Sequence, residues 1–517
     1  MDSAPVPNLA FSGTACFQCF KPSTNLQKCS SCRIVKYCSK DCSVKDWKDH
    51  KSFCRSLQAI RSTLTPPPPF SFSTNDDFIS DDVKKRRRIQ RKVWLSEDEL
   101  LETALKRQAT MLESKLLWRE PRCLICWDRE FDVEKRKEEG EKSDSWRVCK
   151  SCKVVGFCSK DHEELAKKVH FEIKDVEGRS QCESIQLSNE IDEFFLRQHL
   201  ASTSSTTTPS SSSSSPSLWV PNRILSSPQP LPSSWSDYLS RVASFLPSPT
   251  PPLAEIYGVF LEALSPVFTI LSALYRLDYD LSAPKLTLYL LDESLQTCSN
   301  WIPCLEELQH QLPGLEHLQL ITVSPLPPSS SDSSSSTKSS QLSSLTKLPM
   351  CPQCTQKGKT RTITHLPSLP SQLERNSLAI SFNSSIALLS GTDLNSNPTT
   401  FWARTLKTFL FDENENKEVF TPPLVLTSQT REEAKDTIEV LRSCRRGGAG
   451  REQVEEVWSL ERNVWRGGWG RVEGWWGLEE EEESTGGGSG NQGNEEEQLD
   501  GEGIVWKNGW WSAVRRR

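Results

Sequence analysis

Eight residues of metal-ligand type form one spaced series near the N-terminus: Cys16, Cys19, Cys29, Cys32, Cys38, Cys42, His50 and Cys54. Two Cys-x2-Cys pairs and one Cys-x3-Cys pair are followed by His50-x3-Cys54, in a stretch too short to bury much of an apolar core. Zinc takes four soft or borderline ligands in a closed tetrahedron when its role is structural. Eight ligands therefore predict two zinc ions with no open position, which is a structural and binding arrangement before it is a catalytic one.

The chain has 18 cysteines. Their two- and three-residue spacing argues for metal thiolates over disulfides, and thiolates imply a reducing compartment. The 517 residues leave room for two to four domains. Apolar residues make up only 36%, so part of the chain is expected to be disordered. From Lys21 to Arg55 nine Lys and Arg face three Asp, giving a basic finger region, whereas the tail carries acidic runs such as Glu479 to Glu483. Neither a secretory stretch nor an Arg-rich presequence is read before Cys16. The most apolar segment, Leu253 to Leu274, is interrupted by Glu255, Glu262 and Pro266, which predicts buried helices and no membrane span.

The first finger occupies 14–57. Residues 58–95 read as a linker containing Pro66 to Pro69 and the basic run Lys84 to Arg88. That run is either a nuclear-import signal or the exposed, charged entry to the next helix. A helix over 96–120 is predicted from Ser96 as N-cap, Glu99 three residues later and a leucine-rich face, with Pro121 as its stop. An internal repeat follows at 121–185. The segment Cys149-Lys-Ser-Cys-Lys-Val-Val-Gly-Phe-Cys-Ser-Lys-Asp-His162 repeats the spacing of Cys29 to Cys42, Cys123 and Cys126 precede it, and His170 follows at the distance of His50. A charged insertion separates Cys126 from Cys149.

Residues 201–217 form a Ser/Thr/Pro linker. An α/β domain is predicted over 218–445, with a Ser-rich insertion at 329–344. Strands are expected at Leu286 to Leu291, Leu318 to Val323, Arg361 to Thr364, Leu378 to Phe382 and Leu424 to Thr427. Helices are expected at Ile302 to Leu312, Phe401 to Phe411 and Arg431 to Leu441. That alternation implies a largely parallel sheet. Residues 446–503 read as a loose Gly/Trp/Glu tail, and 504–514 as a hairpin around Asn508-Gly509.

The first series, with Tyr37 before Cys38 and the Cys42-x7-His50-x3-Cys54 ending, resembles MYND-type zinc fingers. The resemblance implies a cross-braced arrangement in which Cys16, Cys19, Cys38 and Cys42 hold one zinc and Cys29, Cys32, His50 and Cys54 hold the other. Zinc would then supply folding free energy on the order of 10–16 kcal/mol per structural site. By position in the repeat, Cys123, Cys126, Cys158 and His162 would hold a third zinc. A fourth would have Cys149, Cys152 and His170, but position 174 is Lys174 and the nearest cysteine, Cys182, comes eight residues late. The second, degenerate finger thus holds two ions, one or none, and the chain binds two to four zincs. The resemblance also implies a protein or Pro-rich peptide partner. Trp47 would be the aromatic wall of the groove or, equally, a packing residue on the zinc core. RNA is the alternative partner for the basic face.

Outside the fingers, Cys351-Pro-Gln-Cys354 reads as a thiol pair without metal. A further site would need ligands such as Cys298, Cys304 or His365. His199, His310 and His317 read as surface residues. No Gly-x-Gly-x-x-Gly follows the strand at Leu286, where the next residues are Asp292, Glu293 and Ser294; no Gly-x4-Gly-Lys or Gly-x-Ser-x-Gly motif is present, and no Asn-His pair of the kind used by SET methyltransferases. From Trp219 onward the chain resembles the C-terminal domain of the fungal mitochondrial splicing-suppressor and translational-activator family. The resemblance rests on Leu286 to Asp292, Leu312-Pro-Gly-Leu315, Cys351-Pro-x-Cys354 with Lys357 to Arg361, Leu378 to Asn383, Trp402 and Pro423 to Ser428. It implies a mitochondrial regulator, with nucleus and cytoplasm as alternative locations. The expected function is a zinc-binding protein-interaction scaffold without catalytic residues; an RNA-binding regulator or an unrecognised activity in the α/β domain are the rivals.

Overall fold

The computed structural model describes residues 8–68, 70, 81–140, 145–175, 177–204, 220–291 apart from 222, 224, 228, 247 and 249, 301–324, 345–384 apart from 371 and 372, 386, 401–402, 405–406, 421–444, 454–467, 470–472, 504–506 and 508–516. The chain divides into two units, Met1–Ser211 with Gly470–Ile504, and Ser212–Trp469 with Val505–Arg517. The Ser-rich insertion 329–344, most of the 201–217 linker and most of the expected helix 401–411 fall outside the described residues.

In the first unit, helix α1 (Asn8–Phe11) precedes a two-stranded ladder of β1 (Gln27–Lys28) and β2 (Lys36–Tyr37), then the long helix α2 (Lys40–Thr63). Ser39 starts α2 by accepting the Cys42 N–H at 3.2 Å. Its inward stripe is Asp46, His50, Phe53, Cys54, Leu57, Ile60 and Arg61, a helical period that alternates metal ligands with apolar residues. The repeat folds the same way: β3 (Arg147–Val148) pairs with β4 (Gly156–Phe157), and Ser159 caps α6 (Lys160–Lys167) through the His162 N–H at 3.1 Å.

The two fingers are joined by charge as much as by apolar packing. Helix α3 spans Asp81–Leu105 and α4 spans Met111–Trp118. The single helix expected over 96–120 is therefore two. Ser96 lies inside α3, and the capping box is made by Thr110 and Glu113, with a left-handed Lys106 breaking the chain between the helices. Val83 of α3 packs in the core of the second finger, and Leu101 packs in that of the first. The basic run is not an exposed charged entry throughout: Arg86 and Arg87 are buried, whereas Lys85 is exposed. Arg87 donates to the carbonyls of Ile125 and Leu124 at 2.8 and 2.7 Å, and Arg86 donates to Asp128 at 2.6 Å. Arg136 of α5 (Glu130–Glu138), the helix of the charged insertion, meets the other Asp128 oxygen at 2.6 Å. At the far end of α3, Glu97 is fully buried between Arg61 of α2 and Arg129, while Glu120 pairs with Arg61 at 2.6 Å.

The second unit is built on an eight-stranded mixed sheet. Its strands are β5 (Lys285–Leu291), β6 (His317–Val323), β7 (Thr346–Lys347), β8 (Thr360–Leu366), β9 (Ser377–Ser381), β10 (Leu424–Ser428) and β11 (Val454–Arg462), then β14 (Trp510–Arg516), which follows the short β12 (Gly470–Val472) and β13 (Ile504–Trp506). The order is β11-β14-β10-β9-β5-β6-β8-β7. The five strands β10, β9, β5, β6 and β8 run parallel, with Leu288 opposite both Leu320 and Leu378. β7, β14 and β11 are antiparallel to their neighbours, so the largely parallel sheet of the sequence reading is instead mixed. β5 is buried along almost its whole length, as expected of a strand covered on both faces. The helix Leu253–Arg276 is long and apolar enough to cross a membrane, yet 83% of its most apolar window is buried inside this unit.

Two expectations at the C-terminus are corrected. Residues 454–462 of the supposed loose tail form a sheet strand, and Trp458 and Trp465 are buried. Residues 504–514 are not a hairpin, because β13 does not pair with β14 and β14 lies between β10 and β11. Asn508 does adopt the left-handed conformation that Asn-Gly signals, with φ 53°. Its side chain is nevertheless a buried corner: it accepts from Thr427 Oγ1 at 2.9 Å and donates to Ser265 Oγ at 3.0 Å, and its N–H donates to Asn383 at 2.9 Å. Those bonds direct the chain into the sheet instead of back on itself.

Burial alone would raise the Glu97 carboxyl, but the Arg129 and Arg61 guanidinium groups outweigh it and lower it from its ordinary 4.5 to about 2. A depressed folded-state value stabilises fully above the unfolded value and loses its effect as pH falls toward the folded one. Glu97→Gln is expected to cost about 3–5 kcal/mol by leaving buried guanidinium charge unpaired. In urea titrations of the zinc-loaded protein the loss should be equal at pH 6 and pH 8.

Candidate metal centres

Four Cys-x2-Cys loops share one backbone device. The residue after the second cysteine is left-handed: Phe20, Arg33, Trp127 and Lys153, with φ between 58° and 63°. In each loop that residue's N–H donates to the carbonyl of the first cysteine, at 2.8 Å from Phe20 and 3.0 Å in the other three. None of the four is glycine, so the strain is held by closure of the loop. The result turns both sulfurs to the same side.

The loops converge in alternating order. The donor atoms of Cys16, Cys19, Cys38 and Cys42 lie within 4.8 Å of one another, and so do those of Cys29, Cys32, His50 and Cys54. The repeat assembles Cys123, Cys126, Cys158 and His162, then Cys149, Cys152, His170 and Cys182, by the same criterion. The late position of Cys182 is accommodated locally. α6 ends in a π-turn at Lys168–Glu172, the chain loops through a left-handed Gly178, and Cys182 enters at the start of α7 (Gln181–Ser204). Lys174, at the position the spacing of the first finger would use, turns outward to pair with Glu183 at 2.6 Å.

The separations fit zinc. Zn–S bonds of about 2.3 Å in a tetrahedron set sulfur–sulfur edges of about 3.8 Å, and the shorter Zn–N bond sets sulfur–nitrogen edges of about 3.5 Å. Sulfur pairs stand at 3.6 Å for Cys19–Cys38 and Cys38–Cys42, and at 3.7 Å for Cys29–Cys54 and Cys149–Cys182. Cys126–Cys158 is 3.4 Å. All are far longer than the roughly 2.05 Å of a disulfide. His50 and His170 turn Nε2 to Cys32 and Cys152 at 3.3 and 3.5 Å, whereas His162 turns Nδ1 to Cys123 and Cys158 at 3.4 and 3.0 Å. Gln181 Oε1 lies 2.9 Å from the other His170 nitrogen and fixes the ring.

Charge competition within the sets favours a cation. At Cys16 burial opposes the thiolate, but the backbone N–H groups of Cys19, Cys38 and Gln18 outweigh it and lower the thiol to about 7. Burial pushes Cys19 up to about 12, and its thiol neighbours add to the rise. The Cys32 thiol holds Cys29 down to about 3. Four sulfurs so close cannot all ionise unless a divalent ion replaces their protons.

Residues 16–54 match the MYND finger family. Human histone-lysine N-methyltransferase SMYD3 is 39% identical over 54 residues, 10% of this chain and 13% of that protein. Arabidopsis thaliana histone-lysine N-methyltransferase ASHR1 is 40% identical over 65 residues, 12% of this chain and 13% of its own length. The Schizosaccharomyces pombe SET domain and MYND-type zinc finger protein 6 is 43% identical over 46 residues, 9% of this chain and 10% of its own. The chain thus spans little more than a tenth of these relatives, and the likeness carries the finger and not the rest of them. Family match and donor chemistry together make this a zinc-binding protein with a MYND finger.

Trp47 packs on the zinc core and is partly exposed. Its ring meets the His50 imidazole at 6.3 Å, and 38% of the residue remains exposed. Elsewhere the histidine expectations divide. His317 is exposed, and the His199 side chain lies outside the described residues. His310 is fully buried, contrary to the sequence reading, because its helix is covered on all sides. Cys351 and Cys354 are not an isolated thiol pair: they stand with Glu306 and His310. His365 instead shares a hydrogen bond with Thr322 at 3.0 Å, and Cys298 lies outside the described residues. The sequence clue to Glu306 and His310 was their i, i+4 spacing, which puts both on one helix face.

Cys182→Ala is expected to remove one equivalent of zinc per chain, measured by plasma mass spectrometry on purified protein. Unchanged zinc would exclude Cys182 as a ligand.

Proposed function

We propose that the protein is a zinc-braced protein-interaction scaffold whose first finger docks a Pro-rich peptide on the outer face of α2. The observation carrying this reading is the pair Val44 and Trp47, 64% and 38% exposed and three residues apart on one helix face beside closed ligand sets. Every ligand set is filled by four protein donors, the pattern of structural zinc without a water position. Lys40, Lys45, Lys48 and Lys51 are exposed on the same helix and favour acidic residues flanking the prolines. A proline ring packs flat on an indole face, and a preformed extended segment gives up little entropy on binding.

The second finger has a different part to play. The position equivalent to Trp47 is Lys167, so it offers no aromatic wall. Its insertion helix reaches back to the first finger, with Glu130 and Glu134 pairing Lys28 and Arg33. It serves as a brace that fixes the docking helix. The sequence resemblance from Trp219 onward is the sole support for proposing a partner among proteins of organellar gene expression.

In fluorescence polarisation with the full chain and labelled Pro-rich peptides carrying acidic flanks, Trp47→Ala is expected to weaken binding about tenfold or more, with zinc content and melting temperature unchanged. Equal affinity of variant and wild type would overturn the docking face. Steeply salt-dependent RNA binding indifferent to Trp47 would favour a nucleic-acid role instead.

A further inference from the structure

We infer that the second unit holds a zinc site of its own, ligated by Glu306, His310, Cys351 and Cys354. The four donor atoms lie within 4.8 Å of one another, three of the residues are buried and Cys351 is partly so. Two come from the helix Glu306–Gln311 that leads into β6; Cys351 caps, and Cys354 lies in, the short helical turn Pro352–Gln356 that leads into β8. Two thiolates, an imidazole and a carboxylate form a borderline set suited to tetrahedral zinc.

The surroundings are arranged for coordination. His310 Nδ1 lies 3.1 Å from Glu307 Oε2, which orients the ring so that Nε2 points to Cys351 Sγ at 3.5 Å. Glu307 is in turn held by Arg223 at 3.2 Å and Gln311 at 2.7 Å. A carboxylate behind the ligating imidazole is the usual outer partner of a zinc histidine. The Cys351 N–H donates to Glu306 Oε1 at 2.6 Å, and the Cys354 N–H donates to Cys351 Sγ at 3.4 Å. Both bonds fix donors on the side that faces the cluster.

The charges also close. Two thiolates and the Glu306 carboxylate carry three negative charges, and a divalent ion leaves one. Arg361 is buried beside them, with its guanidinium bound to the carbonyls of Ile302, Pro303 and Pro349 at 3.2, 2.9 and 2.6 Å. It supplies the remaining positive charge. Without an ion, this unit would bury a carboxylate, an imidazole and two thiols at one point with their ligand atoms facing one another, at considerable cost.

This site differs from those of the fingers in its consequence. The second unit has its own apolar core, so its zinc joins the approach to β6 to the approach to β8 across the intervening Ser-rich stretch and does not found the fold. Full-length wild-type protein should carry one more zinc than the double variant Cys351→Ser/Cys354→Ser. Glu306→Gln, which preserves side-chain shape, should keep the fold and lose that zinc to a chelator at least tenfold more readily. Cys304→Ser, at a buried cysteine outside the set, should leave the count unchanged. The inference is overturned if the double variant retains the wild-type zinc count, if Glu306→Gln is indistinguishable from wild type in chelator competition, or if mass analysis of the native protein shows Cys351 and Cys354 joined as a disulfide.

Discussion

Closure of thiolate and imidazole tetrads by a divalent ion is the interaction on which the N-terminal half depends. Each finger has only two-residue strands beside its helices, too little to bury a self-sufficient core. Cross-bracing makes each ion hold segments that are not neighbours in sequence. The first set joins Cys16 to Cys42 while the second, between and beyond them, joins Cys29 to Cys54. Neither loop can open without disturbing the other.

Around that constraint the chain places charge in unusual depth. Helix α3 buries Arg86, Arg87, Gln90 and Glu97 along the face where a globular helix would carry leucines. Arg87 binds carbonyls of Leu124 and Ile125, between Cys123 and Cys126, so a guanidinium supports a metal loop directly. Glu97 does the same service between the fingers by neutralising Arg61 and Arg129. Such pairs are a weak source of net stability, but they punish every register except one. Those ion pairs link the two fingers, with Arg61 of the first and Arg129 of the second sharing Glu97.

The ligand sets were legible because soft ligands at fixed spacing have few physical meanings, and the repeat allowed the second set to be read from the first. The parallel strands were legible for the same kind of reason: Leu286 to Leu291 and Leu378 to Phe382 are short apolar runs that a buried strand explains. Other features were not accessible to pattern. The first part of α3, residues 81–95, looked like a linker because its buried stripe is charged, and periodicity arguments count apolar residues. β11 looked loose because Glu and Arg mask Trp458. The Asn508-Gly509 turn was correctly signalled but its partners are long-range, through Thr427, Ser265 and Asn383, and local sequence holds no record of them. Glu306 and His310 lie 41 or more residues from the thiols they approach, and only the parallel pairing of β6 with β8, the strands that follow the two helices, brings them together.

The two units of the molecule differ in what holds them. Zinc founds the first unit, while apolar burial founds the second and its metal site only fastens two connections. Amide hydrogen exchange on the full chain, before and after exhaustive chelation, measures that difference directly. The account predicts that protection collapses across residues 16–54 and 123–182 and persists in β5, β6 and β9. Retained protection in both finger regions after zinc removal would contradict it.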